Sequence, residues 1–401
     1  MLRKDVDHFH KLFYNFLAVL FVTFDDMLYV IANNLWYKHQ KKKSIKRILV
    51  LRYDRLSDVI ATLPALTLLK KKFPHAAIDI VVQSAVRELV EQHPGIDHVI
   101  IFNNDWYGDK KNSFISDRLA FFLIALKGEF LRLFSLLSKR RYSLVVDFTR
   151  RRRNILLSLI LRIPQRWGFA IPAGSFLLTK RISYNSREHA AKNNMALIER
   201  TDKIPEIKLM IPERVRRTAR TLAKKYKLNV KKGPVIVFHP GFGKQPKKRW
   251  PLEYMGELIK KLQKEYVQPA FVFVGVKGEE HLLSSALNSS FDEQEQAELK
   301  VINLIGKTTP LQLAALSIYF DAFIGNDSGP LHLLAAMHVP SVALYGATNV
   351  NEWRPLNPRC IVLKKTTKGS VFNIYDDASI RAITVDEVFS AVKKTLSRRK
   401  S

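Results

Sequence analysis

At 401 residues the chain exceeds what a single hydrophobic core fills, so two domains are expected. Its composition, 47% hydrophobic and 25% charged, excludes wholesale disorder and a low-complexity scaffold. A net charge of +30 demands a polyanionic neighbour, and the one cysteine, Cys360, excludes an intramolecular disulfide and favours a reducing cytoplasm with the thiol as packing rather than nucleophile.

In chain order, residues 10–37 form an apolar, aromatic-rich stretch long enough to raise the question of a membrane span. Asp25 and Asp26 argue against one, because each would cost about 2.5 kcal/mol or more at the centre of a bilayer. No small-residue cleavage pattern follows, which argues against a signal peptide. The expectation is a helical amphipathic extension over residues 1–45, interrupted at the acidic pair and followed by the basic run Lys38 to Arg47. Such a segment either lies on an anionic leaflet or packs as a hairpin on the fold.

Beyond it, strands and helices alternate. Ile48 to Arg52 reads as a buried strand, Val59 to Lys72 as a helix, Ala77 to Gln83 as a strand, Ala85 to Pro94 as a helix, and His98 to Asn103 as a strand. Tyr142 to Phe148 reads as another buried strand, followed by a helix over Asn154 to Arg162. Glu199 to Lys232 loses periodicity, is rich in Lys and Arg, and contains Pro205 and Pro212, so it reads as a connection. A second alternation follows, with strands expected at Val235 to His239, Pro269 to Gly275, Val301 to Leu304, Ala322 to Gly325 and Ser341 to Tyr345. The pattern implies an α/β protein of two doubly wound, Rossmann-like domains, residues 46–215 and 216–401, with ligand at the carboxyl ends of both sheets across a cleft.

Three motifs carry chemistry. In FIGNDSGPLHLLAAM, Phe323 to Met337, a strand ends in a polar turn and a helix starts at once. Asp327 or Ser328 suits the helix cap, Gly329 lets a ligand approach the backbone, and Pro330 fits the first turn. The free amides and the helix dipole make an anion site there, and His332 lies one turn in. In HPGFGKQPKKRWP, His239 to Pro251, Gly241 and Gly243 permit a close loop, while Lys244, Lys247, Lys248 and Arg249 gather cations suited to a diphosphate. In RYDRLSDVIATLPAL, Arg52 to Leu66, the dinucleotide spacing is absent, but Asp58 stands beside Ser57 as a candidate base or a helix cap.

Taken together, these motifs resemble glycosyltransferase family 9, the ADP-heptose:lipopolysaccharide heptosyltransferases, from about Ile48 onward. The match is carried by RYDRLSD-x-x-x-TLPAL, KRWP, NLIGKT and GNDSGPLHLLAA. The resemblance implies a GT-B fold and an inverting, single-displacement transfer from an ADP-sugar. It implies Asp58 as catalytic base and Lys248 as neutraliser of the donor phosphates. It places Asp327, Ser328 and Gly329 on sugar and diphosphate, Glu279 near the ribose and Thr308 near adenine; Gly243 and His332 are expected at the donor site from their own motifs. Ser57 departs from the family's usual glycine before the aspartate.

The turn DFTRRRRN, Asp147 to Asn154, ends a first-domain strand, and Arg150, Arg151, Arg152 and Arg153 are expected to meet an acidic acceptor. For this family that acceptor is the Kdo and heptose region of the lipopolysaccharide core, reached from the cytoplasm at the inner face of the membrane. No metal-ligand cluster and no nucleic-acid-binding motif is recognisable, so neither a cofactor nor an obligatory metal is expected, because cations and a helix terminus can meet the leaving charge. Two other readings stay open at this level: a GT-B transferase or epimerase using a UDP-sugar, and a non-catalytic binder of membranes or polyanions.

Overall fold

Arg47–Leu51 (β1, RILVL) buries four of its five residues, as a strand flanked by neighbours on both sides and covered on both faces must. It pairs in parallel with Ala77–Val82 (β2) on one side and Leu144–Asp147 (β4) on the other. His98–Ile101 (β3), Gln165–Phe169 (β5) and Lys180–Ile182 (β6) complete a six-stranded parallel sheet in the order β3-β2-β1-β4-β5-β6. A second parallel sheet is built from Val235–His239 (β7), Ala270–Phe273 (β8), Val301–Asn303 (β9), Ala322–Asn326 (β10), Ser341–Tyr345 (β11) and Cys360–Lys364 (β12). Its order, β12-β11-β10-β7-β8-β9, repeats the first. In each sheet the connection reverses direction between the first and fourth strands, β1 and β4 in one, β7 and β10 in the other. Ligands of open α/β sheets bind at the carboxyl ends of such a strand pair.

The structure is a computed structural model describing residues 44–103, 128–172, 174–201, 203–228, 233–241, 249–365 and 378–397. All but the last two residues of the expected amphipathic extension fall outside that set. Among the described residues no helix is long and apolar enough to cross a membrane. The chain divides into two compact units. The first takes the described residues up to Asp54 with Ala61–Asn185 and Ala191–Pro205, and the second takes Arg55–Ile60, Ser186–Ala190 and the chain from Glu206.

The α/β expectation holds, with local corrections. The stretch Glu199 to Lys232 is not a featureless connection: Glu213–Lys225 is a helix that buries Val215, Ala219 and Ala223 and packs on the helix Pro310–Leu316. Two alanines give so thin an apolar seam that the surrounding arginines hide its period. The helix expected over Val59 to Lys72 is two helices, Leu56–Ile60 and Leu63–Lys72, because Pro64 suits a first turn and not an interior. β5, β6 and β12 were not anticipated: β5 and β6 are interrupted by polar residues, while the apolar run of β12, at the sheet edge, is only partly buried.

The first unit's core gathers Leu49, Leu51, Val81, Ile100 and Val145 from its strands. Asp79, within β2 and fully buried, is ringed by Arg140 Nη1 at 2.6 Å, Tyr142 Oη at 2.7 Å, His98 Nδ1 at 3.2 Å and Arg47 Nη1 at 3.3 Å. In the second unit Phe238 stacks on Phe273 at 5.5 Å, and the helix Leu252–Glu265 adds Met255, Leu258, Ile259 and Leu262, one helical face. Trp250, fully buried, donates from Nε1 to the Ile383 carbonyl at 2.9 Å.

Candidate functional site

The carboxyl ends of β10, β7 and β8 are neighbours in the second sheet, and the motif residues of that half collect there. β10 ends at Asn326, 1% exposed, whose Oδ1 accepts from the Trp250 amide at 3.0 Å and whose Nδ2 donates to the Gly241 carbonyl at 3.5 Å. This one amide ties the strand end to Gly241 and Trp250, on either side of residues 242–248. Gly243 and Lys248 themselves lie outside the described residues.

Ser328 occupies the N-cap of the helix Gly329–Ala336 in extended conformation, with Pro330 in the first turn. Its hydroxyl does not cap the helix, contrary to the sequence expectation, and its Oγ is buried with no hydrogen-bond partner among the described residues. Asp327 does not cap either. Its Oδ1 lies 2.9 Å from Nε2 of the buried His332, and that ring meets Trp353 edge-on at 6.2 Å. Tyr345, at the end of β11, donates from its hydroxyl to the Trp353 carbonyl at 2.6 Å. Burial, reinforced by the negative charge of Asp327, pushes the Tyr345 phenol far above its ordinary range, so it remains a donor.

On the β7 and β8 side, Glu279 Oε2 accepts from the Val276 amide at 3.0 Å and lies 3.7 Å from His239 Nε2. A β-carbon on Gly241 would fall 2.2 Å from Glu279 Oε1, and one on Gly275 would fall 2.6 Å from Oε2, so both glycines are needed for the carboxylate to lie where it does. Burial lowers the pKa of Arg249 while the negative charge of Glu279 opposes it. Arg249 Nε and His239 Nδ1 are buried without hydrogen-bond partners among the described residues. Thr308 sits half-buried after β9, next to Thr309, which caps the helix Pro310–Leu316 in a reciprocal box with Gln312.

Asp58 lies in the first turn of Leu56–Ile60, a segment that belongs to the second unit. That helix packs on Gly329–Ala336, where a β-carbon on Gly329 would come within 3.0 Å of Leu56 Cδ2. The absence of a side chain at Gly329 therefore brings the Asp58 helix close to the turn at Ser328. The family model described as glycosyltransferase family 9 (heptosyltransferase) matches residues 130–374, more than half of the chain.

The chain belongs to glycosyltransferase family 9.

Lipopolysaccharide heptosyltransferase 2 of Salmonella typhimurium is 31% identical to this family 9 chain over 170 residues, covering 41% of it and 47% of the relative. The chain thus spans about half the length of that relative. The structure of E. coli ADP-heptose lps heptosyltransferase II superposes with a TM-score of 0.68 at 22% identity, covering 88% of this chain and 100% of that one. E. coli heptosyltransferase WaaC with ADP-2-deoxy-2-fluoro heptose gives a TM-score of 0.58 at 19% identity, covering 87% and 99%. Both likenesses establish the shared two-sheet fold.

The four arginines of the first unit take separate directions. Arg150, exposed and left-handed at φ 58°, stacks its guanidinium 3.9 Å above the Tyr184 ring. Arg151 Nη2 reaches Asp54 at 3.4 Å, and Arg152 Nη2 donates to the Pro172 carbonyl at 3.1 Å. Arg153 is near enough to Tyr53 for its charge to act on the phenol. Sequence reasoning missed His189, which donates from Nε2 to the Arg354 carbonyl at 2.8 Å and whose pKa burial lowers to about 4, His332 adding to the effect. Nothing in the segment SREHAAKNN signals that contact. Cys360 behaves as expected, its thiol pushed up to about 12 by burial. Among the described residues no group of three or more His, Cys, Asp or Glu is placed to hold a metal ion.

Proposed function

We propose that this chain moves a heptose, or a closely related sugar, from an ADP-sugar to an acidic acceptor of the lipopolysaccharide core, inverting the anomeric centre. Asp58 takes the proton of the acceptor hydroxyl as its oxygen bonds to the anomeric carbon. The bond from that carbon to the β-phosphate oxygen breaks, and its electron pair leaves with ADP. The amides at Ser328 and Gly329, with Lys248, meet the charge that develops on the diphosphate. His332 addresses the sugar, Glu279 the ribose, Thr308 the adenine and Gly243 the close approach of the loop. Arg150 to Arg153 address the anionic acceptor. No obligatory metal enters this scheme, since a helix terminus and cations supply the neutralisation.

The observation that carries the reading is the Ser328 hydroxyl, buried at the start of Gly329–Ala336 with no hydrogen-bond partner among the described residues. Donors left unmade at a helix start are the means by which a protein takes up an anion. The printed names of the relatives support a heptose and an adenine nucleotide. The high positive charge supports a peripheral position on the anionic cytoplasmic leaflet.

The test is transfer of radiolabelled sugar from ADP-heptose, compared with UDP-hexoses, onto heptose-truncated core. Asp58→Asn is expected to lower kcat by about 10²- to 10⁴-fold with donor affinity retained. Full turnover in that variant rejects Asp58 as the base, transfer only from UDP-hexoses rejects the donor, and binding of polyanions without any transfer rejects catalysis.

A further inference from the structure

A second buried polar cluster lies at the carboxyl ends of β1 and β4, the direction-reversing strand pair of the first sheet. Asp147, the last residue of β4, is 5% exposed. Its Oδ1 accepts from the Thr149 amide at 2.8 Å, from Thr149 Oγ1 at 2.7 Å and from Asn154 Nδ2 at 3.2 Å. Asn154 Nδ2 also donates to Thr149 Oγ1 at 2.6 Å, while its Oδ1 accepts from the Tyr53 hydroxyl at 2.5 Å. One carboxylate oxygen therefore ties both ends of the stretch that contains the four arginines. Within it Arg150 adopts a left-handed backbone that a residue with a β-carbon disfavours, so the stretch needs such ties to keep its course.

We propose that Asp147 is a positioning residue for the acceptor, fixing the course of the chain through Arg150–Arg153, the last two of which open the helix Arg152–Ile160, so that its loss weakens acceptor binding and leaves donor binding intact. The inference rests on the reading of those arginines as the acceptor contact. The geometry explains why a carboxylate stands there: a hydrogen-bonded anion orients three donors at once, which a neutral acid does less strongly. Burial raises Asp147 to about 6, against the pull of its bonds from Thr149 and Asn154, with the charge of Asp54 adding to the rise. The groups acting on it are Thr149 and Asn154, which bond to it, and Asp54 from the turn after β1, while Arg151 and Arg153 act on the neighbouring Tyr53 phenol. Acceptor KM in the wild type is thus expected to rise as the pH falls through about 6, the carboxylate being lost.

The experiment compares wild type, Asp147→Asn, Thr149→Val, Thr149→Ser, Arg150→Ala and Arg153→Ala with heptose-truncated core as acceptor and ADP-heptose as donor. Asp147→Asn and Thr149→Val should raise acceptor KM roughly tenfold, with kcat and donor KM near wild type, and Thr149→Ser should restore it. The rise in acceptor KM at low pH should vanish in Asp147→Asn. If the arginine variants leave acceptor KM unchanged, the acceptor reading itself fails. If they raise it while Asp147→Asn and Thr149→Val do not, only the positioning role is overturned. Equal losses in donor and acceptor affinity would mark a general structural defect and overturn it too. Should Asp147→Asn not fold, the Thr149 pair decides.

Discussion

Oδ1 of Asp327 accepts a 2.9 Å hydrogen bond from Nε2 of His332, across the first turn of the helix Gly329–Ala336. A carboxylate only accepts, so Nε2 carries the proton and the ring is held in one orientation, the one the proposed function assigns to the sugar. Asp327→Ala removes that control and should lower kcat on the order of tenfold, the worth of one charge-assisted hydrogen bond. Asp327→Asn keeps an acceptor and should lose less. Equal loss in both variants, measured as initial rates at saturating donor, would show that orientation of the ring is not what Asp327 contributes.

A β-carbon on Gly241 would fall 2.2 Å from Glu279 Oε1, so the end of that side chain would have to move. Gly241→Ala should displace the carboxylate from the Val276 amide and raise donor KM, with a stability cost of about 1 kcal/mol, that of one lost hydrogen bond. Isothermal titration with ADP alongside urea denaturation measures both effects. Unchanged ADP affinity would mean that Glu279 does not address the ribose.

Stability should fall as the pH is lowered from about 6.5 toward 4, in part through His189. Its pKa is depressed to about 4 in the fold, chiefly by burial, so across that interval the unfolded chain binds a proton that the folded chain does not. Proton uptake then favours unfolding. His189→Gln should flatten the decline of Tm between pH 7 and pH 5, measured by differential scanning calorimetry; an identical slope in the variant refutes the assignment.

Trp250 anchors the start of the helix Leu252–Glu265 in the core, fully buried and bonded to the Ile383 carbonyl. Trp250→Ala should cost about 3–5 kcal/mol. Trp250→Phe keeps most of the packing but strands that carbonyl, at a cost of about 1–3 kcal/mol. Urea midpoints in that order are expected, and a Phe variant as unstable as the Ala variant would locate the energy in the hydrogen bond instead of the ring.

What could be read in advance follows physical lines. Strands β7 and β11 were legible to the residue, because Val235–His239 and Ser341–Tyr345 are apolar runs buried on both faces. The helix Glu213–Lys225 was not, since its buried seam is made of one valine and two alanines amid basic side chains. The turn at Ser328 was legible because glycine and proline punctuate it. That Asp327 would turn to His332 instead of capping the helix was not, because both uses of a short carboxylate fit the same spacing. Arg150 to Arg153 read as a single basic block, yet their directions depend on Tyr184, Asp54 and Pro172, partners remote in the chain.

The enclosed carboxylate of Asp79 bears on any attempt to make this strongly basic chain less so. Arg47 and Arg140 answer a carboxylate that is fully enclosed. Replacing either would leave interior negative charge short of a counterion, a defect that more dilute buffer or added salt would not repair.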